Sequence, residues 1–556
     1  MKNESPEERR GSDRAGWLKL AGLAVVLAAG TWLLLKSLLP TTVPDDFPRL
    51  PDLAAANPGL RNLLVSADKE ARRRPGSAEA VGRLGMAYQA NQYPDEAAEA
   101  YRIAARLEPG DYQWAYCQAS LQEESGNEKE QFNLLQRTIR LKPGYVPALL
   151  KLADAYFKQE NLEQAAHHYE LAAKASDQGA GLQAAFGLAR VAASKEDWNK
   201  VIEYAGPLVQ SYPHVRPPFQ LLQKAYESTG QADKAAELRE AILAGKFTDV
   251  PPPKDALHDQ LVELSYSSTR LLKEAGLLSR FGYPDLGLQV ARRALDANAS
   301  DADIHNFIAH TLLTYHGDNP EAIDEALRRL SECLRLKPDD PTPLWGFTQD
   351  FFDKPKTPAA VERLRALLRP YAGRADARYY LGLVADSQGD AASAISYYLA
   401  ALKNDPNNYG IYNKLGALSD KIGRFDAAIS YFQKAVQMNP MDTNSRSNLG
   451  AALMQQGNYD QGFKELNEVI RLKPHDAPAR FCMGFAFLFS KKYDEAVTKF
   501  REGLRYDPGD PEAHYGLGSA LAMQQKREDA VRELREALRL RPNYPEAQEL
   551  LQRLGG

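Results

Sequence analysis

The side chains of this sequence best suited to metal binding or nucleophilic attack are nine histidines and three cysteines, and their spacing argues against both roles. His305, His310 and His316 fall in one helical stretch, but steps of five and six residues turn them to different faces at about 100° per residue. No HExxH accompanies them, so they read as surface or packing residues. His167 and His168 are adjacent and diverge around a helix. Cys117, Cys333 and Cys482 are far apart, odd in number and outside any CxxC or CxxCH, so no zinc site, attached haem or disulfide framework is expected. There is no GxxxxGK[ST] loop, no GxSxG elbow and no pair of carboxylates that stands out from an acidic helix surface. We therefore expect no catalytic residue, no cofactor and no small-molecule substrate.

A different chemistry is available to "FCMGFAFLF", residues 481–489, which gathers large apolar side chains and a cysteine around one glycine in a chain of mean hydropathy -0.47. Such a cluster is a core, a membrane contact or an anchor for an apolar partner. Which of these it is depends on the elements that hold it.

At 556 residues the chain exceeds the size at which one hydrophobic core stops growing, so several domains or an elongated stack are expected. Hydrophobic residues make up 44% and charged residues 26%, with a net charge of -4, so there is no electrostatic footprint for nucleic acid. Near the start, residues 17–39 would span roughly 34 Å as a helix. Their apolar run from Leu20 to Leu35 lies between Lys19 and Lys36. Trp17 and Trp32 lie towards its two ends, as interfacial anchors would. Lys2, Arg9, Arg10, Arg14 and Lys19 precede the run, which predicts a signal anchor with residues 1–16 cytoplasmic and the rest periplasmic or extracytoplasmic. A cleaved signal peptide is the competing reading, from the short "LAVVLAAG" region. Residues 40–58, opening with "PTTVPDDFPRLPD", read as an extended spacer. The run Arg72–Arg74 reads as a solvated face, with contact to anionic lipid headgroups as the alternative.

The rest of the chain repeats. Pro406, Pro440, Pro474, Pro508 and Pro542 follow one another at 34 residues, and Gly382, Gly416, Gly450, Gly484 and Gly518 keep the same step. A bulky residue lies sixteen places after each glycine, at Tyr398, Phe432, Leu466, Phe500 and Leu534. The pattern predicts stacked helical hairpins. The glycine lets two helices approach, the bulky residue fills the space between them, and the proline ends the second helix. "SNLGAALMQQGNYDQGFKELNEVIRLKP", residues 447–474, carries these positions in register, as does "GRLGMAYQANQYPDEAAEAYRIAARLEP", residues 82–109. The chain resembles the tetratricopeptide repeat family, in a membrane-anchored, bacterial-type layout. About thirteen units are expected, after a half-unit and before a terminal capping helix. The fold class implied is all-α: an α-solenoid, a right-handed superhelix of helix-turn-helix repeats, behind one N-terminal transmembrane helix. We place a first array at 59–249, a proline-rich break at 250–258 within "FTDVPPPKD", and a second array at 259–556. The unit near 302 is expected to carry an extra loop, "TYHGDN".

Within the register Met483, Gly484 and Phe487 take packing positions, while Phe481, Phe485, Leu488 and Phe489 form a stripe on another face of the first helix. The resemblance implies that this face lines a groove for partner peptides, joined by Met454 and Gln455 before it and by Tyr515, Ser519 and Met523 after it. Packing of these side chains on one another remains the other reading. Some relatives hold peptide backbone with an asparagine ladder, but the corresponding positions here are Tyr380, Lys414, Asn448, Cys482 and Gly516. Lys414 and Asn448 are a fragment of a carboxylate clamp. The function implied is a membrane-tethered scaffold or adaptor for protein or peptide partners, in envelope assembly, secretion or chaperoning. The alternative is a non-catalytic subunit of a membrane enzyme or export complex.

Overall fold

One hairpin shows how the sequence builds the rest. Asp476, two residues after Pro474, accepts a hydrogen bond from the Ala479 amide at 2.8 Å and caps the helix Ala477–Phe489, with Pro478 in its first turn. A tight turn through Lys491 leads into the antiparallel helix Tyr493–Leu504. Asn408, Asp442 and Asp510 cap their own helices in the same way at the same 34-residue step, so proline and cap together set where each hairpin ends and the next begins. A cap of this kind contributes about 1 kcal/mol.

The computed structural model describes residues 43, 45–175, 181–245, 247–352 and 356–555. The apolar run 17–39 lies outside the described residues. Among those described, no helix is long and apolar enough to cross a membrane. They are helical throughout, with one isolated β-bridge, Val215 to Thr248, and no named strand. The chain divides into two compact units, the first ending at Thr311 and the second beginning at Leu312.

In the first unit the helix Pro58–Arg73 packs on the hairpin Ala78–Ala90 and Pro94–Leu107. Further hairpins open at Tyr112, Val146, Gly181, Arg216 and Ser268. In the second, hairpins opening at Ala375, Tyr409, Thr443, Ala477 and Pro511 follow the shorter helices Thr342–Phe352 and Pro358–Leu368, and the helix Pro545–Arg553 packs on the last of them. Each repeat glycine faces the bulky residue sixteen places on. A Cβ built on Gly382 would meet the Tyr398 ring at 2.5 Å, one on Gly416 the Phe432 ring at 2.5 Å, and one on Gly450 the Leu466 side chain at 2.7 Å. The bulky residues are fully buried or nearly so.

Three stretches differ from expectation. "TYHGDN" is not wholly a loop: Thr314 to His316 extend the helix Ala302–His316, and Asn319 caps Pro320–Leu336, so the added length goes largely into the two helices. The start of the chain does not stand clear as a spacer from Asp46 onward. Phe47 and Leu53 are buried in the cluster that holds Leu64 and Val81, and Asp46 pairs with Arg106 at 3.0 Å. Arg72 of the basic run lies over the Phe47 ring at 4.9 Å and donates to the Pro48 carbonyl, so it braces this segment. The proline-rich residues 250–254 are non-helical as expected, but with the helix Ala256–Glu263 they lie along earlier hairpins of the first unit.

Candidate partner-binding surface

The stripe of "FCMGFAFLF" divides between core and surface. Phe481, expected in the groove, is buried, because Gly503 on the paired helix leaves room for its ring: a Cβ there would stand 2.3 Å from Phe481 Cε1. Met454 is likewise corrected to core, packed between hairpins beside Gly462. Phe485 is half-buried, its ring edge-on to Phe500 at 4.9 Å and close to Gly516 of the next hairpin. Leu488 is half-buried beside it. Phe489, the last residue of its helix, is 73% exposed, and Met523, its equivalent on the next hairpin, is 58% exposed. The helices Ala477–Phe489 and Pro511–Met523 pack side by side, so these two exposed side chains stand at corresponding ends of neighbouring helices, with half-buried Phe485 and Leu488 just before Phe489.

The packing positions hold, with one refinement. Met483 and Gly484 are buried, whereas Phe487 is half-buried and stacked on Phe463 at 4.5 Å. Tyr515 turns its ring to Tyr544 at 5.2 Å, against the terminal helix, and so belongs to the stack more than to the free surface.

The polar positions make no clamp. Lys414 is exposed, but Asn448 donates its amide to Asn413 Oδ1 at 2.9 Å. At the following ladder position, burial pushes the Cys482 thiol up to about 11 and keeps it neutral. Tyr380 is buried. His305 is buried with its Nε2 3.0 Å from the Ala299 carbonyl oxygen, a packing role. Among the described residues no group of three or more His, Cys, Asp or Glu is placed to hold a metal ion.

A second set of polar contacts was not anticipated. In the first unit Tyr116 and Tyr145 both donate to the carboxylate of Asp255, the latter at 3.0 Å. Burial, and then the carboxylate itself, drives both phenol pKa values far above their ordinary value, which keeps the hydroxyls as donors. The signal in the sequence was an aspartate two residues after three prolines, the composition of a helix cap.

Models of the tetratricopeptide repeat match residues 70–146, 146–178, 349–409, 397–430, 421–480 and 488–554. No curated protein matches the chain. Among solved structures, the crystal structure of MamA protein is 25% identical over 30% of this chain and 91% of its own, with a TM-score of 0.28. YrrB, a TPR protein with an unusual peptide-binding site, is 22% identical over 34% of this chain and 99% of its own, with a TM-score of 0.29. The Naa15/Naa10 complex bound to HypK-THB matches at 15% identity over 90% of this chain and 89% of that one, with a TM-score of 0.40. With its 34-residue period, its glycine–bulky pairs and the repeat-model matches along both units, the chain belongs to the tetratricopeptide repeat family.

Proposed function

We propose that the protein is a membrane-tethered, non-catalytic scaffold that binds a partner protein through the apolar surface around Phe489 and Met523. The observation that carries this reading is the exposure of these two residues at one register position of adjacent hairpins, beside two half-buried apolar neighbours. Tetratricopeptide repeats serve as protein-binding surfaces, and aromatic and methionine side chains gathered on such a face suit an apolar anchor on the partner. The tether is the run Leu20 to Leu35 with basic residues ahead of it, which supports repeats on the extracytoplasmic side, in envelope assembly, secretion or chaperoning. Confinement at a membrane raises the effective concentration of a bound client without chemistry.

The test is the pair Phe489→Ser and Met523→Ser, measured by unfolding midpoint and by crosslinked pull-down from membranes. The expected result is an unchanged midpoint and a client lost from the pull-down. A stable double variant that captures every wild-type client removes this surface from the reading.

A further inference from the structure

In the first unit the side-chain hydrogen bonds of widest sequence separation, 173 to 181 residues, run from Leu264, Ser265 and Tyr266, and from Ser267 and Arg270 at the start of the following helix, back to Gln89–Gln92. The residues before Leu264 continue along the earlier hairpins. Thr248 exchanges backbone hydrogen bonds with His214 and Arg216. Gln183 donates to the Pro251 carbonyl at 2.6 Å, and Asp255 takes the hydroxyls of Tyr145 and Tyr116. Leu257 and Leu261 are buried in the cluster of Trp114 and Val81, and Asn91 donates to the Leu264 carbonyl at 3.0 Å. As the segment advances from 248 to 264, its partners step back from 214 to 91. It therefore crosses the first helices of successive hairpins in the direction opposite to the array, partly extended, as a bound peptide would.

The segment is not a member of the stack it covers. Pro251 to Pro253 carry no N–H, and the eight-residue helix Ala256–Glu263 has no paired helix of its own and is too short to stand alone. Beyond the backbone pairing of Thr248, what holds it on the face is side-chain recognition: one carboxylate between two hydroxyls, two leucines in an apolar cluster, and two amides each on a carbonyl. Behind it, Arg293 donates to the carbonyls of Val262, Glu263 and Ser265, so the segment stays attached to the following hairpin when it leaves the face.

We propose that this face of the first array is a peptide-binding groove held shut by the chain's own residues 248–266. On opening it takes, in exchange, a partner peptide of the same chemistry: a proline-rich extended stretch, an aspartate, and leucines two and six residues after it. The groove is separate from the Phe489 surface, and neither reading depends on the other.

The probe is a fluorescent synthetic peptide of residues 247–266, titrated against the full chain in mild detergent. The closed wild-type chain should bind it at least about tenfold more weakly than the triple variant Asp255→Ala, Leu257→Ser, Leu261→Ser, because a groove open one time in ten or less loses that factor in apparent affinity. A peptide carrying D255A should fail to bind the triple variant. A triple variant with wild-type helical content that ignores the peptide, or a wild-type chain that binds it equally well, overturns the proposal. Should the triple variant unfold, hydrogen exchange of the wild-type chain decides. Amides of 257–263 exchanging about tenfold or more faster than those of 81–88 support a cover that opens by itself, and equal rates overturn it.

Discussion

A Cβ on Gly484 would stand 2.9 Å from Cε1 of Phe500, on the paired helix of the same hairpin. The contact is the reason for the glycine step, since the ring occupies the space that a side chain would need. Gly484→Leu should therefore destabilise the second unit by about 1–3 kcal/mol, the usual cost of overpacking. An unfolding midpoint equal to wild type would show that the hairpins do not pack in this register.

Phe481 and Phe489 lie two turns apart on one helix and should respond in opposite ways. Phe481→Ala empties a buried ring site against Gly503 and should cost about 3–5 kcal/mol. Phe489→Ala should change stability by no more than about 0.5 kcal/mol, as for other exposed positions. Denaturant unfolding of the two single variants reads the contrast directly.

The turn inside each hairpin needs one residue in the left-handed region. Gly389, Gly423 and Gly457 fill it with φ of 77°, 76° and 80°, but the next two hairpins place Lys491 and Gln525 there, at 61° and 64°. Lys491→Gly should relieve that strain and stabilise the second unit by about 0.5–1 kcal/mol after allowing for glycine's greater freedom when unfolded. A lower midpoint would mean that the lysine side chain holds the turn in another way.

His514 is held by Glu533, 2.8 Å from its Nδ1, with its Nε2 3.1 Å from the Pro508 carbonyl oxygen, and Glu536 nearby adds to the negative field. The hydrogen bond to Glu533 is the main cause of a pKa above the ordinary 6.5, against the effect of burial. A raised folded pKa contributes stability that is full below 6.5 and is lost as the pH rises through the folded value. The last hairpin should thus melt at a higher temperature at pH 5.5 than at pH 8, and Glu533→Gln should flatten that difference. Calorimetry of both proteins across this range is the measurement.

Much of this architecture was legible because a repeat states its own register. Prolines, glycines and the bulky residues sixteen places later located the hairpins, including weak ones opening at Val146 and Arg216. The surface was less legible because the face of a helix depends on its neighbours as well as its period. Phe481 occupies a groove position in the repeat, yet Gly503 stands where the other hairpins carry Ala401, Ala435, Val469 and Ala537, and that one small residue draws the ring inward. Read together, residues 481 and 503 would have shown it. The helix cap at Asp255 was legible after its three prolines, but its contact with Tyr116 was not, because it joins parts of the chain that no periodicity relates.

That last contact also sets an order of events during synthesis. Each hairpin of the first array needs only its neighbours to fold, so the hairpins from Ala78 onward can form as they emerge. Asp255 comes 110 residues after Tyr145, the later of the two tyrosines, an interval of roughly 5–20 s at ribosomal rates of about 5–20 residues per second. Every newly made molecule therefore passes through a period in which the tyrosine pair is built and its carboxylate does not yet exist, and a nascent chain shortened to end before residue 248 would hold that stage indefinitely.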